Sequence, residues 1–427
     1  MPVKVRTSRN LWASYSRVPL LGWFCGALIA VTLERFAGTP IALALGLPKI
    51  PVLFGLDIML KKPILVPSAI LYVLVVYGLP MGVTTRSSIS LTNRLATRLF
   101  RFPIAITVAV HLALLYTILH LWAGISDYRA LVLKLTLIAV MLTLSLNVIN
   151  GYMGEFSCSH PGFMALGAYC ASVFTVGLFV DDRLFGAVFL PPALGPFLFP
   201  IALILGGFLA SFGALFVAIP SFRTRGDYLA IISLAFLFIV KSLIENLEFV
   251  RGARGLSGQP DWADLPTVFL WTVLCVWSVN NFVRSTIGKA LNAVRDNEMA
   301  ASAMTVDTRR TKIVAFLFGA FWAGVAGGLF AHVLRYVNPS TFGIQNLAEV
   351  LAMVYFGGLN SVYGSIVGAV SISLLGEALR PLEIFKWIII PLLLILVMIF
   401  RPMGLIAFKD LDVTSLLRPK QNPGGEV

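Results

Sequence analysis

The stretch IVAFLFGAFWAGVAGGLFAHVL (Ile313–Leu334) contains no Asp, Glu, Lys or Arg. About 20 such residues in a helix span the hydrocarbon core of a bilayer. Lipid offers the backbone no hydrogen bonds, so a spanning chain must be helical or form a closed barrel. The stretch reads as a transmembrane helix, and similar runs recur along the chain. Hydrophobic residues make up 58% of the sequence and charged residues 12%, with a mean hydropathy of +0.89. A soluble domain averages about 45–50% apolar and about 25% charged, so a water-soluble globule is excluded. The runs are continuous rather than alternating, which separates spanning helices from barrel strands. The fold class is an all-α polytopic membrane protein.

Working outward, the predicted spans are 18–35, 63–83, 103–125, 130–149, 160–180, 197–219, 228–244, 266–283 and 313–337, with two short crossings in 347–379 and a last span at 384–400. Segment 37–60, broken by Pro40, Pro48 and Pro51 and carrying Lys49 and Asp57, is expected to be a loop or re-entrant piece. The net charge of +13 raises nucleic acid as a partner, but the basic residues lie beside the ends of apolar runs. They fit the cytoplasmic Lys/Arg excess that orients membrane proteins, with lipid as the partner and no nucleic acid. With the N-terminus (Lys4, Arg6, Arg9, Arg17) inside, segments 84–101, 221–227 and 284–312 also return inside, as does the C-terminal tail. Asp227, after Arg225, reads as an interfacial helix start. No small-residue cleavage site follows the first run, so it is expected to be an uncleaved span. Cys25, Cys158, Cys170 and Cys275 lie in or beside spans without metal-ligand spacing and read as packing residues.

Two places put backbone-permissive residues near membrane depth: NGYMGEFSCSHPGFMALGAY (Asn150–Tyr169) and YFGGLNSVYGSIVGA (Tyr355–Ala369). Irregular backbone is tolerated there only where protein buries it or a cavity receives it, and paired breaks point to a transport path. The candidate path residues are Gly154, Glu155, Ser157, Ser159, His160, Gly357, Gly358 and Asn360. Close helix packing on small residues is the competing reading. Glu155 either lines the cytoplasmic mouth of a path or is an ordinary interfacial carboxylate, and His160 reads as a helix-start or packing residue. No nucleophile is paired with a base, no Walker sequence surrounds Gly288-Lys289, and no metal or cofactor set is evident. The chain is read as non-catalytic.

The segment RSTIGKALNAVRDNEMAASAMTVDTRRTK (Arg284–Lys312) is water-compatible and rich in alanine. A helix is predicted from Ile287 to Met304, with Ser285 capping it, Arg295 meeting Glu298 at i,i+3, and a weak apolar stripe of Ile287, Leu291, Val294, Ala301 and Met304. Such a face either receives a groove of another protein or lies on the lipid surface as an amphipathic connector.

The segment resembles the loop by which permeases of ABC importers dock on their ATPases, a glutamate and two alanines followed four residues later by glycine. In that register stand Met299-Ala300-Ala301 and Thr305, with the glutamate displaced to Glu298. Together with LSLNVINGYMGEFSCSHPGFMALGAY, IPSFRTRGDYLAIISLAF and GGLNSVYGSIVGA, in that order along the chain, it is similar to the permeases of branched-chain amino-acid ABC importers, LivM type. Glu155 and Ser159 stand where that family usually has glutamine and glycine. The resemblance implies a core of about ten helices, 102–408, behind a two-span extension, 1–101, and before a cytoplasmic tail, 409–427. It implies a coupling loop of Leu291, Arg295, Asp296, Glu298, Ala300, Ala301 and Thr305, and alternating access without chemistry on the substrate. It implies as partners a second, LivH-like permease subunit, two cytoplasmic ATP-binding subunits and a periplasmic or extracellular amino-acid-binding protein, in the bacterial plasma (inner) membrane. A urea or short-amide permease shares the framework. An ion-coupled secondary transporter would need a coupling charge, for which Glu155 is the candidate.

Overall fold

The computed structural model describes residues 18–48, 50–51, 63–181, 186–223, 228–401 and 403–419. Over these residues the apolar runs are helices that end close to where the charges begin. In chain order they are α1 (Leu20–Ala44), α2 (Val66–Ser87), α3 (Ile89–Leu99), α4 (Ile104–Ala123) and α5 (Asp127–Met153). There follow α6 (His160–Phe179), α7 (Gly195–Ser221), α8 (Tyr228–Asn246) and α9 (Leu265–Arg284). The polar segment forms α10 (Thr286–Asp296) and α11 (Glu298–Ala303) before α12 (Thr308–Leu334). Last come α13 (Ile344–Gly357), α14 (Val362–Ala378), α15 (Glu383–Phe400) and the short α16 (Val413–Leu417). Among the described residues, nine helices are long and apolar enough to cross a membrane. The region expected to cross twice is the shorter pair α13 and α14, 14 and 17 residues long. Two-residue strands β1 (Leu256–Ser257) and β2 (Tyr336–Val337) pair antiparallel and tie two interhelical loops together.

One expectation is corrected. The helix α1 does not stop before the prolines but runs through Pro40 to Ala44. Lys49, Asp57 and the rest of 52–60 lie outside the described residues, as do Lys4, Arg6, Arg9, Arg17, Arg225 and Asp227. Helix α2 handles its proline differently. Pro80 lacks an N–H and its ring presses on the carbonyl four residues earlier, and the turn just before it, Leu74–Gly78, is widened to π geometry.

The helices pack into two compact units, 1–130 with 412–427 and 131–411. In the first, α4 packs on α1. At its centre is a buried ion pair: the Arg129 guanidinium donates to both Glu34 oxygens, at 3.0 and 2.9 Å, and to the Pro51 carbonyl at 2.9 Å. Tyr72 and Tyr77 donate to the same carboxylate, and Arg129 lies 5.1 Å from the centre of the Trp122 ring. A buried charge persists only when paired and fully hydrogen-bonded, and this network joins residues from α1, α2, α4 and α5.

The second unit is organised by α6, α7 and α12. Lipid gives no hydrophobic drive between helices, so they meet on small residues that let backbones approach. Gly167 of α6 faces Gly324 of α12 so closely that a Cβ at Gly167 would overlap the Gly324 carbonyl, and Gly324 in turn touches Gly207 and Ala210 of α7. Beside this crossing Phe163 packs edge to face on Phe316 and tilted against Phe236.

Candidate functional site

The first break lies between α5 and α6. Helix α5 ends in a π turn, Val148–Met153, and stops at Gly154, whose φ of 76° suits glycine. The next residues, themselves outside any helix, find polar partners on α5, on α8 and among themselves. Ser157 N donates to Asn150 Oδ1 at 3.2 Å, the Ser157 and Ser159 hydroxyls are 2.9 Å apart, and Cys158 N donates to Ser233 Oγ of α8 at 2.9 Å. Ser157, Ser159 and His160 are fully buried. His160 opens α6 and meets Phe163 edge to face, 5.8 Å between ring centres. Both its ring nitrogens are buried and have no hydrogen-bond partner among the described residues.

The second break lies between α13 and α14. Gly358 has φ 129° and Asn360 φ 55°, and Ser361 then caps α14 by accepting from Gly364 N at 3.1 Å. The chain beyond α15 winds along this break through turns and bends. Leu405 N donates to Phe356 O, Ile406 N to Gly357 O, Leu359 N to Met403 O and Phe408 N to Leu359 O, all between 2.9 and 3.3 Å. A Cβ at Gly358 would stand 2.5 Å from the Ile406 carbonyl, so the glycine there admits a closely passing backbone.

Asn147, near the end of α5, fastens the two breaks together. Its amide donates to Ser365 Oγ at 2.6 Å and Ser361 O at 3.1 Å, and its oxygen accepts from Asn360 N at 3.2 Å. The sequence reading missed it, although an asparagine in an apolar run is itself a signal, because a polar side chain in lipid needs partners.

The polar segment docks on the same end of this unit. Ser285 caps α10 as expected, accepting from Gly288 N at 3.3 Å. The helix is not continuous, however. Asn297 turns extended and caps α11 by accepting from Ala300 N at 3.0 Å. The break corrects the expected Arg295–Glu298 pair: Arg295 binds Asp296 at 2.8 Å instead. Its guanidinium also reaches the Gly151 carbonyl at 3.5 Å and stacks on Phe408, 5.2 Å from the ring centre. Its aliphatic stem covers Gly154 so tightly that a Cβ there would collide with Cγ. Glu298 is drawn to Lys312 at the start of α12. Lys312 Nζ lies 2.9 Å from Glu298 Oε2 and 2.7 Å from Glu155 Oε1. The polar segment and the first break therefore share one cation. Of the expected stripe, Leu291, Val294 and Ala301 are buried, while Ile287 and Met304 are exposed; Met299 and Ala300, outside the stripe, are exposed as well. Thr305, where the docking pattern has glycine, sits at φ 68°.

A cavity of about 240 Å³ opens at a different place, among α5, α6, α12, α13, α14 and α15. Its wall is largely apolar, with Val132, Leu142, Met164 and Met353; its polar groups are the Thr136 and Ser373 hydroxyls and, at one end, Asn346, Glu349, Glu377 and Lys386. None of the candidate path residues lines it.

Residues 128–400 match the family described as the permease component of the branched-chain amino acid transport system. The chain belongs to that family. It is 30% identical over 307 residues to the high-affinity branched-chain amino acid transport permease LivM of Escherichia coli, covering 64% of this chain and 68% of that protein. It is 27% identical over 149 residues to LivH of the same organism, covering 34% of this chain and 48% of LivH. It is also 27% identical over 176 residues to BraD of Pseudomonas aeruginosa, covering 39% and 54% of the two. No solved structure matches it. This permease is a multi-pass membrane protein, and its breaks and coupling segment lie within the matched region.

Proposed function

We propose that this permease forms one half of the pathway of an ATP-driven importer for branched-chain amino acids. It sits in a bacterial plasma membrane with both termini in the cytoplasm. The substrate class is that printed in the names of LivM, LivH and BraD. The partners are a second, LivH-like permease, two ATP-binding subunits under the two permeases, and an amino-acid-binding protein on the outer face. ATP is hydrolysed by the partner subunits and no chemistry occurs on this chain. Residues 102–408 carry the pathway, 1–101 are an extension, and 409–427 remain cytoplasmic.

One observation carries the mechanism. Lys312 is held at once by Glu298 of the coupling segment and Glu155 of the first break, and Arg295 lies across Gly154. A push on α11 cannot leave the break untouched. Met299, Ala300 and Met304 face outward from α11 and its end and form the surface gripped by an ATPase groove. When the ATPases close, α10 and α11 move and draw on Gly154 and Glu155. Asn147 carries the shift to Gly357, Gly358 and Asn360, and the spans exchange outward for inward access. The pairing of Glu155 with Lys312 also gives that carboxylate a partner without a coupling ion.

The test uses the assembled transporter in proteoliposomes. Ala300→Glu, on an exposed position, is expected to leave insertion intact and to abolish ATP hydrolysis stimulated by the binding protein, together with leucine uptake. Normal hydrolysis and uptake would rule out the docking surface. A cysteine at Ala300 that is labelled only from the extracellular side would rule out the orientation.

A further inference from the structure

The cavity among α5, α6 and α12–α15 contains chemistry that the coupling mechanism does not use. Its charged groups come from the early turns of α13 (Glu349, with the neutral amide of Asn346 beside it), the last turn of α14 (Glu377) and the first turn of α15 (Lys386). Val132 is near the start of α5, while Leu142 and Met353 lie farther along their helices. The space thus has a charged rim at one end and an apolar floor toward the middle of the helices. By the charge pattern, that rim is at the outward end, opposite the coupling segment.

Charged side chains inside a membrane protein are costly and are kept where they meet a partner or a ligand. Here the internal partnering is loose. Lys386 Nζ and Glu349 Oε1 are 3.4 Å apart, and both side chains are roughly a quarter exposed, at 23% and 27%. Glu377 is held by Arg380 at 2.8 Å. Asn346 Oδ1 is buried and has no hydrogen-bond partner among the described residues. An unmet acceptor of this kind is unfavourable until something donates to it. A Cβ at Gly376 would stand 3.3 Å from Glu349 Oε1 and 3.4 Å from Lys386 Cε, so the glycine lets both charges lie against the backbone of α14.

We infer that this cavity is a binding site for a zwitterionic amino acid with a small apolar side chain. The inference deepens the transport reading above and rests on it for the direction of travel. The ligand's carboxylate takes Lys386 from Glu349. Its ammonium then receives Glu349, Glu377 and the unmet Asn346 oxygen. Its side chain enters the floor formed by Leu142, Met164 and Met353, where each methylene taken out of water favours binding. The volume lies below the range of about 300–1,000 Å³ usual for drug-sized ligands, which suits a single small molecule. Urea, neutral and without an apolar part, would leave both the charges and the floor unmatched.

Equilibrium binding of radiolabelled leucine to the purified full-length chain in lipid nanodiscs tests the inference. Saturable binding is expected, displaced by isoleucine and valine and at least tenfold less well by leucinamide, 4-methylpentanoate or urea. Lys386→Met is expected to weaken leucine at least tenfold, and Met353→Trp to abolish binding by filling the floor, with thermal unfolding of each variant compared with the parent. If either variant fails to fold, Leu142→Trp, on a different helix, supplies the same reading. Absence of saturable leucine binding to folded parent protein, or binding indifferent to these changes, overturns the site. Uptake by the full assembly reads the transport function separately. Leucine uptake whose KM ignores Lys386→Met overturns the cavity and leaves the importer standing. An assembly that imports no apolar amino acid overturns the importer, while nanodisc binding still decides the cavity.

Discussion

Lys312 Nζ lies 2.7 Å from Glu155 Oε1, although the two residues are 157 positions apart in the chain. The same ammonium is 2.9 Å from Glu298, so one side chain couples a surface helix to the break in α5. Lys312→Met leaves two carboxylates without their cation. The lysine side chain is 10% exposed and Glu155 26%, so the loss is expected to be about 1–3 kcal/mol. Uptake should fall at least tenfold, with basal ATP hydrolysis retained and its stimulation by the binding protein lost. Lys312→Arg should recover part of the stimulation. Uptake and hydrolysis measured in the same vesicles check both outcomes.

Gly154 is held by its backbone and by its neighbour. At φ 76°, and with Arg295 Cγ against its α-carbon, Gly154→Ala must displace Arg295 from Gly151 and Phe408. The single variant is expected to lower the unfolding temperature and to impair uptake. Adding Arg295→Ala should restore much of the stability but not the uptake. Thermal unfolding and transport, measured on the single and double variants, separate packing from coupling.

Thr305 makes the opposite case. A β-branched residue at φ 68° is strained by about 1–3 kcal/mol. Thr305→Gly relieves that strain, partly offset by the greater freedom of glycine in the unfolded chain. The net is expected to be about 1 kcal/mol of added stability, seen as a small rise in unfolding temperature with unchanged uptake.

The Glu34–Arg129 pair should dominate the stability of the first unit. Both side chains are essentially inaccessible, 0% and 2% exposed, so Arg129→Leu strands a carboxylate among apolar helices and two tyrosines. A loss of about 3–5 kcal/mol is expected, against about 1 kcal/mol for Tyr72→Phe, whose hydroxyl bond is long at 3.4 Å. Protease sensitivity of the α1–α4 region would report the difference.

The fold was largely legible because length and apolarity decide a span without knowledge of its neighbours. Ile313 to Leu334 needed no context, and Ser285 declared its cap locally. What failed depended on distant or competing groups. A continuous helix through Asn297 made Arg295 and Glu298 look like neighbours. The asparagine instead caps Ala300, as an asparagine ahead of Glu-Met-Ala-Ala is suited to do. Arg129 gave no hint that its partner was Glu34, 95 residues away. The glycines at 357 and 358 stand out in the sequence, but nothing local to them announces the later segment, residues 403–408, that packs on them. Lys386 and Glu349 each look like ordinary ends of spans until the helices bring them together.

That later segment has a consequence for truncated chains. Residues 403–408 are made after α13 and α14, so the Phe356 and Gly357 carbonyls lack these amide partners until the segment folds back over them. A chain ending at Phe400 would retain α1 to α15 and leave its second break unlatched.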